Sequence, residues 1–168
     1  MENECSECGA NLAINQTECA YCGAAQPNAD ERLLVELMNV KRKAEMAYRR
    51  GNKLVLESLL ADDYELLEVE CEGIEGRVDR KTTVENAGFV DPAFLSYSIS
   101  DEELLERTPE TAKMAFIQTV HRSTDNEHDP YTTRSKTHFV RHEGRWKIAY
   151  EHLVMLDKNG QPYKSDAV

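Results

Sequence analysis

The apolar positions follow a helical period in the first third of the chain. Between Asp30 and Gly51 they recur at steps of three and four, which predicts an amphipathic helix; these positions are Leu33, Leu37, Val40, Ala44 and Ala47. Gly51 is expected to end that helix, and Asn52 can cap a second helix that ends near Asp62-Asp63. We interpret the apolar face of both helices as core packing.

The period changes to that of strands after residue 63. Residues 64–71 alternate acids with apolar residues, and Gly73 and Gly76 predict a turn. Asp79 is placed to cap a short helix that ends at Gly88. Strands are predicted for residues 97–106 and 112–122, and the second is apolar on both faces, which is typical of an interior strand. Cys71, outside any paired motif, is interpreted as a buried apolar residue rather than a nucleophile.

The clearest two-stranded unit is THFVRHEGRWKIAYEHLVM, residues 137–155, which turns at Glu143-Gly144. This turn predicts that Phe139 pairs with Ile148, Arg141 with Trp146, and Thr137 with Tyr150. One face then carries the more aromatic set and is assigned to the interior: Phe139, Trp146, Ile148, Tyr150 and His152. The other face carries His138, Val140, Lys147, Ala149, Leu153 and Met155. A three-residue turn would instead place His138 opposite Ile148.

Composition and charge exclude several classes of function. The chain has 168 residues, of which 40% are apolar and 30% charged, as in a globular protein. No apolar run reaches the roughly 20 residues that span a bilayer, and the first residues do not resemble a signal peptide. We therefore expect a cytoplasmic protein without membrane contact. The net charge of -11 repels phosphate backbones, so no nucleic-acid partner is expected.

Two C-x2-C-G units near the N-terminus predict a metal site. Cys5 with Cys8, and Cys19 with Cys22, supply four sulfurs, and a glycine follows each pair. Four thiolates close a tetrahedral zinc site and leave no position for a catalytic water, so we expect one structural Zn²⁺. Two disulfides or a redox dithiol pair are the alternatives, and both fit a reducing compartment poorly. The short spacer between the pairs predicts a minimal zinc ribbon.

A resemblance to a known superfamily rests on three stretches: AYRRGNKLVLESLLADDYELLEV, GRVDRKTTVENAG and THFVRHEGRWKIAYEH. Together they resemble the nuclear transport factor 2-like superfamily, and its SnoaL-like members above all. The resemblance implies an α+β fold in which a cone-shaped, curved antiparallel sheet wraps around helices and forms an apolar pocket. It also implies a homodimer through the back of the sheet. Members include dehydratases, isomerases and cyclases, so the fold does not define a reaction.

The predicted organisation places the zinc ribbon at residues 1–26, a linker at 27–31, the cone domain at 32–156 and a tail at 157–168. The candidate pocket residues are the interior hairpin set and two residues of the preceding strand: Phe139, Trp146, Ile148, Tyr150, His152, Gln118 and His121. Glu151 falls on the opposite face in this register. Because a histidine base needs an acidic partner, we assign no catalytic residue.

Two hypotheses for the function follow. In the first, the zinc ribbon binds a protein partner, and the cone domain is a dimeric module for protein interaction or for a small apolar ligand. In the second, the cone domain is an enzyme of the isomerase, dehydratase or cyclase type that uses a pocket histidine or tyrosine as acid or base. A polar pair within hydrogen-bond distance inside an open pocket favours the enzyme.

Overall fold

The computed structural model describes residues 4–5, 7–11, 18–24, 29–70, 74–89, 94–123, 131–157 and 159–162. The three helices are α1 (Ala29–Arg49), α2 (Lys53–Leu59) and α3 (Arg80–Glu85). The six strands are β1 (Leu60–Val69), β2 (Glu75–Asp79), β3 (Phe94–Arg107), β4 (Thr111–Arg122), β5 (Tyr131–His142) and β6 (Arg145–Met155). This order confirms the predicted α+β class. Within these ranges no helix has the length and hydropathy needed to cross a membrane.

The strands form one curved sheet in the order β2-β1-β6-β5-β4-β3. The β1–β6 pair is parallel and every other pair is antiparallel. The β5–β6 hairpin lies at the centre, and β4 has a neighbour on each side, as predicted. The edge position next to β1 is taken by β2, where the sequence predicted only a turn. Strand β1, which carries Asp62, Asp63, Glu65 and Glu68, therefore has a neighbour on each side and is not an edge strand.

The helices cover one face of this sheet and enclose the core. Leu37 of α1 and Leu56 of α2 are fully buried together with apolar residues of the sheet, among them Phe116, Phe139 and Ile148. The predicted caps are present. The Asn52 side chain accepts a hydrogen bond from the Val55 N–H at 3.2 Å, and Asp79 accepts one from the Thr82 N–H at 2.8 Å. Cys71 lies outside the described residues.

A β-bulge in β6 changes the face on which its last residues lie. Phe139 pairs with Ile148 and Arg141 with Trp146, so the predicted turn at Glu143-Gly144 is confirmed. The next pair is His138 with Tyr150, which leaves Ala149 as an extra residue on β6. The predicted pair of Thr137 with Tyr150 is therefore wrong. Because side chains alternate along a strand, one extra residue moves everything after it to the opposite face.

Candidate functional site

The bulge decides which predicted pocket residues face the interior. Phe139, Trp146 and Ile148 lie between the bulge and the hairpin turn and are buried, as predicted. Tyr150 and His152 follow it and lie on the outer face, where Tyr150 packs edge-on against His138 at 5.5 Å between ring centroids. Their assignment to the pocket is wrong. Glu151, Leu153 and Met155 instead point inward, although the sequence placed them outside.

The helices and the inner face of the sheet enclose a cavity of about 420 Å³. Of the predicted residues, Gln118 lines it, whereas His121 lies on the opposite face of β4 and is exposed. Phe139, Trp146 and Ile148 belong to the core beneath it and do not line it. The apolar part of its wall consists of Ala44, Leu56, Leu60, Leu66, Val78, Phe89, Phe94, Val120 and Leu153.

A buried ion pair lies at one wall of the cavity. The Lys41 ammonium of α1 donates to Glu151 Oε1 of β6. The Tyr64 hydroxyl donates to Glu151 Oε2 at 3.0 Å, and the Thr137 hydroxyl lies 3.4 Å from Oε1. Burial alone lowers the pKa of Lys41, but the charges of Glu151 and Glu45 outweigh it and raise this pKa, so the ammonium stays charged.

Glu68 and Tyr131 form a second polar pair in the cavity wall. The Tyr131 hydroxyl donates to Glu68 Oε1 at 3.4 Å, across the 63 residues that separate them. Burial, and then the charge of Glu70, raise the pKa of the Glu68 carboxyl. Burial and the Glu68 charge likewise raise the pKa of Tyr131. The pair therefore holds protons more tightly than the same groups do in water.

Two glycines meet just beyond the ends of α1 and α3, next to residues that line the cavity. Gly51 and Gly88 lie in close contact there, both with positive φ, and the Gly88 N–H donates to the Tyr48 carbonyl at 2.7 Å. The next residue, Phe89, lines the cavity and is 82% exposed. An aromatic ring of the cavity wall that is so exposed is available for contact with a bound molecule.

The burial of Lys41 could be predicted from the helical period of α1. Lys41 lies four residues after Leu37 and three before Ala44, on the apolar face of α1. A lysine at such a position is buried only with a partner, so its presence predicts an acid on the facing strand. Neither Glu68 nor the inward direction of Glu151 has a comparable signal. The position of Glu68 depends on the pairing of distant strands, and that of Glu151 depends on a bulge that no local pattern marks.

The four cysteines of the N-terminal pattern form a compact cluster. Their sulfurs all lie within 4.8 Å of one another, and the two cross-pairs, Cys5–Cys22 and Cys8–Cys19, are separated by 3.6 and 3.7 Å. The two C-x2-C-G units have the same backbone turn. Gly9 N–H donates to the Cys5 carbonyl at 2.9 Å, and Gly23 N–H donates to that of Cys19 at 2.8 Å. Cys5 and Cys19 are buried, while Cys8 and Cys22 are exposed.

The geometry of this cluster fits a metal ion. A tetrahedron of sulfurs at about 2.3 Å from zinc has sulfur–sulfur edges of about 3.8 Å, close to the two observed separations. Backbone N–H groups of Cys22 and Tyr21 lower the pKa of Cys19 to about 7. The Ala24 N–H lowers the pKa of Cys22, but partial desolvation and hydrogen bonds with the other three thiols raise it to about 12. Crowding therefore opposes full ionisation unless a cation neutralises the sulfurs, so the cluster can hold a metal ion.

Comparison with solved structures identifies the fold. A nuclear transport factor 2-like (NTF2-like) protein from Cytophaga hutchinsonii superimposes with a TM-score of 0.58 at 17% identity, over 71% of this chain and 95% of that one. A candidate Ca/calmodulin-dependent kinase II association domain from Exiguobacterium sibiricum gives 0.56 at 22% identity, over 80% and 98%. A candidate scytalone dehydratase from Novosphingobium aromaticivorans gives 0.53 at 10% identity, over 82% and 95%.

The chain therefore has the NTF2-like fold, as its resemblance to that superfamily implied. The sequence matches no protein-family model and no curated protein. At these identities the similarity describes the fold alone, and the neighbours differ in the functions that their names suggest. The function has to be inferred from the cavity and from the cysteine cluster.

Proposed function

We propose that this protein is a small-molecule-binding module whose ligand occupies the cavity of the α+β domain. The observation that carries the proposal is an open cavity of about 420 Å³ whose wall combines apolar side chains with polar groups that contact one another, among them Lys41–Glu151, Arg49–Glu45 and Glu68–Tyr131, with Arg122 over the Tyr131 ring. This volume lies within the range of small-molecule sites, which are mostly apolar with a few polar groups that orient the ligand. The ligand class is a small, largely apolar molecule that carries a hydrogen-bonding group.

The paired polar groups support a ligand without a large charge of its own. Lys41 is neutralised by Glu151, and Arg49 by Glu45 at 2.6 Å. The raised pKa of Glu68 favours its neutral carboxyl, and this group and the amide of Gln118 offer hydrogen bonds without formal charge. A carbonyl or hydroxyl group on an apolar body therefore fits this wall better than a phosphate does.

Two neighbouring residues of β6 provide a matched test. Leu153 lines the cavity, whereas His152 lies on the outer face. Native mass spectrometry of protein from cell extract is expected to show a bound molecule in the wild type and in His152→Trp. Leu153→Trp is expected to lose it because the indole fills the cavity, and circular dichroism checks that both variants fold. Equal ligand content in the two folded variants, or no ligand in the wild type, contradicts the proposal.

We also propose that the ion held by the cysteine cluster is zinc and that its role is structural. Four thiolates fill the coordination sphere, which suits an ion without redox chemistry and leaves no open position for substrate. One equivalent of zinc is expected in freshly purified, reduced protein. Cys8→Ser should lose it, whereas Cys71→Ser, outside the paired pattern, should retain it. A wild type without zinc in elemental analysis contradicts this assignment.

We retain the predicted homodimer through the outer face of the sheet as a proposal, with a different set of interface residues. Leu153 and Met155 do not belong to that face. It carries partly buried Ile117, Val140 and Val154 instead. Sedimentation velocity at micromolar concentration is expected to show a dimer that Val154→Glu dissociates. A wild-type monomer excludes it.

Catalysis is the second candidate function, and the Glu68–Tyr131 pair favours it. No histidine among the described residues lines the cavity, so the candidate acid or base is Glu68 rather than a pocket histidine. A carboxyl with a raised pKa beside a tyrosine hydroxyl is suited to proton transfer on a bound carbonyl compound. If the ligand is turned over, Glu68→Gln should abolish the turnover and retain binding. Unchanged turnover in that variant rejects Glu68 as the acid or base.

A further inference from the structure

The solvent-facing side of α1 carries a basic groove outside the cavity. Residues at helical spacing on α1, together with α2, line this shallow groove of about 430 Å³; they include Asn39, Arg42, Lys43, Met46, Arg50 and Val55. Three of the lining residues are cations, and none is a carboxylate. We use the name basic groove for this surface.

The charges of the basic groove are largely available to a partner. Arg42 is 53% exposed at its side chain and lies 3.6 Å from Glu102. Lys43 and Arg50 are exposed, and neither forms an ion pair with another described residue. Met46 is 45% exposed between them. A positive surface with an apolar centre suits an acidic segment that also offers an apolar side chain.

Such a segment exists in the chain itself, at the cysteine cluster. Residues 1–29 contain no lysine or arginine. Glu4, Glu7 and Glu18 are exposed beside the cysteines, and Tyr21 is 82% exposed. Four thiolates around a divalent ion add two further negative charges. The described residues of this segment do not line the groove of their own copy.

We infer that the cysteine-cluster segment of one copy binds the basic groove of a second copy. The negative charge of this segment complements the positive charge of the basic groove, and exposed Tyr21 can pack against exposed Met46. The centre of the groove lies roughly 22 Å along α1 from Ala29, at about 1.5 Å per residue. Five residue steps join Ala24 to Ala29 and span at most about 18 Å, so Ala24 of the same copy falls short of the groove centre, which favours a second copy. Reciprocal binding gives a closed pair with two identical contacts.

This inference rests on the proposed metal site, because the segment has little apolar core of its own. Among the described residues its core consists of Cys5 and Cys19, with Ala10 and Ala24 packed against them. Metal binding therefore supplies most of the energy that keeps its acids in place. The contact differs from the proposed sheet-face dimer and should weaken with salt, since exposed ion pairs are screened.

Zero-length carbodiimide cross-linking of an equal mixture of ¹⁴N- and ¹⁵N-labelled, zinc-loaded protein tests the inference. Mixed-isotope peptides that join Lys43 to Glu4, Glu7 or Glu18 are expected. Arg42→Glu/Arg50→Glu leaves Lys43 in place and is expected to reduce their yield about tenfold. Lys81→Glu/Arg145→Glu reverses two exposed charges elsewhere and should leave the yield unchanged.

A charge exchange identifies the partner. A copy with Glu4→Lys/Glu7→Lys/Glu18→Lys, mixed with a copy carrying Arg42→Glu/Arg50→Glu, should recover mixed-isotope cross-links, because the carbodiimide can then join the introduced lysines of the segment to the introduced glutamates of the groove. If the cross-links join only peptides of the same isotope, the segment binds the groove of its own copy, and the inference is overturned. Co-purified nucleic acid in the groove, or zinc-loaded protein without these cross-links, overturns it as well. Loss of zinc in the same sample instead identifies a failure of the metal site.

Discussion

Lys41 of α1 faces Glu151 of β6 because Ala149 is an extra residue on that strand. Without the bulge, Glu151 would share the outer face with Lys136 and His138, and Lys41 would lie buried without its ion-pair partner. The bulge, the ion pair and the cavity wall are therefore one structural unit. Its polar atoms have partners in Tyr64 and Thr137, which is the condition under which a buried charge is tolerated.

Lys41→Met should destabilise the protein by about 3–5 kcal/mol, because it leaves the Glu151 carboxylate buried without its cation. Lys41→Met/Glu151→Gln should recover part of that loss, since the amide oxygen still accepts from Tyr64. Urea denaturation measures both. The exposed pair Lys113–Glu106, at 2.8 Å, is the control. Its single substitutions should cost at most about 1 kcal/mol, and an equal cost at both pairs contradicts the buried role of Lys41.

Deletion of Ala149 should remove the bulge and reverse the faces of residues 150–155. Glu151 would leave the cavity, so the cost is expected to be at least the about 3–5 kcal/mol that accompanies an unpaired buried Lys41. Ala149→Gly keeps the residue count and should cost about 1 kcal/mol or less. Equilibrium urea unfolding compares the two variants. A deletion variant as stable as Ala149→Gly shows that the register does not depend on this residue.

Much of the fold could be predicted from local patterns. The period of α1, the caps Asn52 and Asp79, and the turn at Glu143-Gly144 are each encoded within a few residues. The paired cysteines are encoded in the same way, and the structure brings all four sulfurs together. Such features depend on sterics and hydrogen bonds between near neighbours, so no knowledge of the remaining chain is required.

The candidate site could be predicted only in part, because it is assembled from strands that are far apart in sequence. Alternation along β6 places Tyr150 and His152 inside only if the strand is regular, and nothing local marks Ala149 as a bulge. The pairing of Glu68 with Tyr131 depends on the parallel contact of β1 with β6. Lys41 is the exception, since its position on an apolar helical face indicates a buried partner.

Gly88→Ala should destabilise the protein more than the same change at Gly144. Both glycines have positive φ, at 92° and 76°, which costs an L-residue roughly 1–2 kcal/mol. An added Cβ at Gly88 would lie 3.1 Å from the Gly51 Cα, whereas at Gly144 it would meet nothing within 4 Å. Thermal unfolding should show the larger decrease in Tm for Gly88→Ala. Equal decreases contradict the close contact between Gly88 and Gly51.

Glu68→Gln should change the pH dependence of stability in a definite direction. Burial raises the pKa of Glu68 in the folded protein above its unfolded value of about 4.3. The folded state thus binds this proton more tightly, so the contribution of Glu68 is fully present below about pH 4.3 and is lost as pH rises through the folded pKa. Glutamine has no proton to lose. The stability of Glu68→Gln relative to wild type should therefore be greater at pH 7 than at pH 4.

The measurement is the free energy of unfolding of both proteins in urea at several pH values between 4 and 8. Glu103→Gln, at an exposed position of β3, controls for the loss of one negative charge from an acidic protein. A difference for Glu68→Gln that does not grow from pH 4 to pH 7, or that Glu103→Gln reproduces, shows that Glu68 ionises freely. The same result would remove the protonated carboxyl from the proposed ligand site, because a charged Glu68 accepts hydrogen bonds and cannot donate one to a carbonyl group.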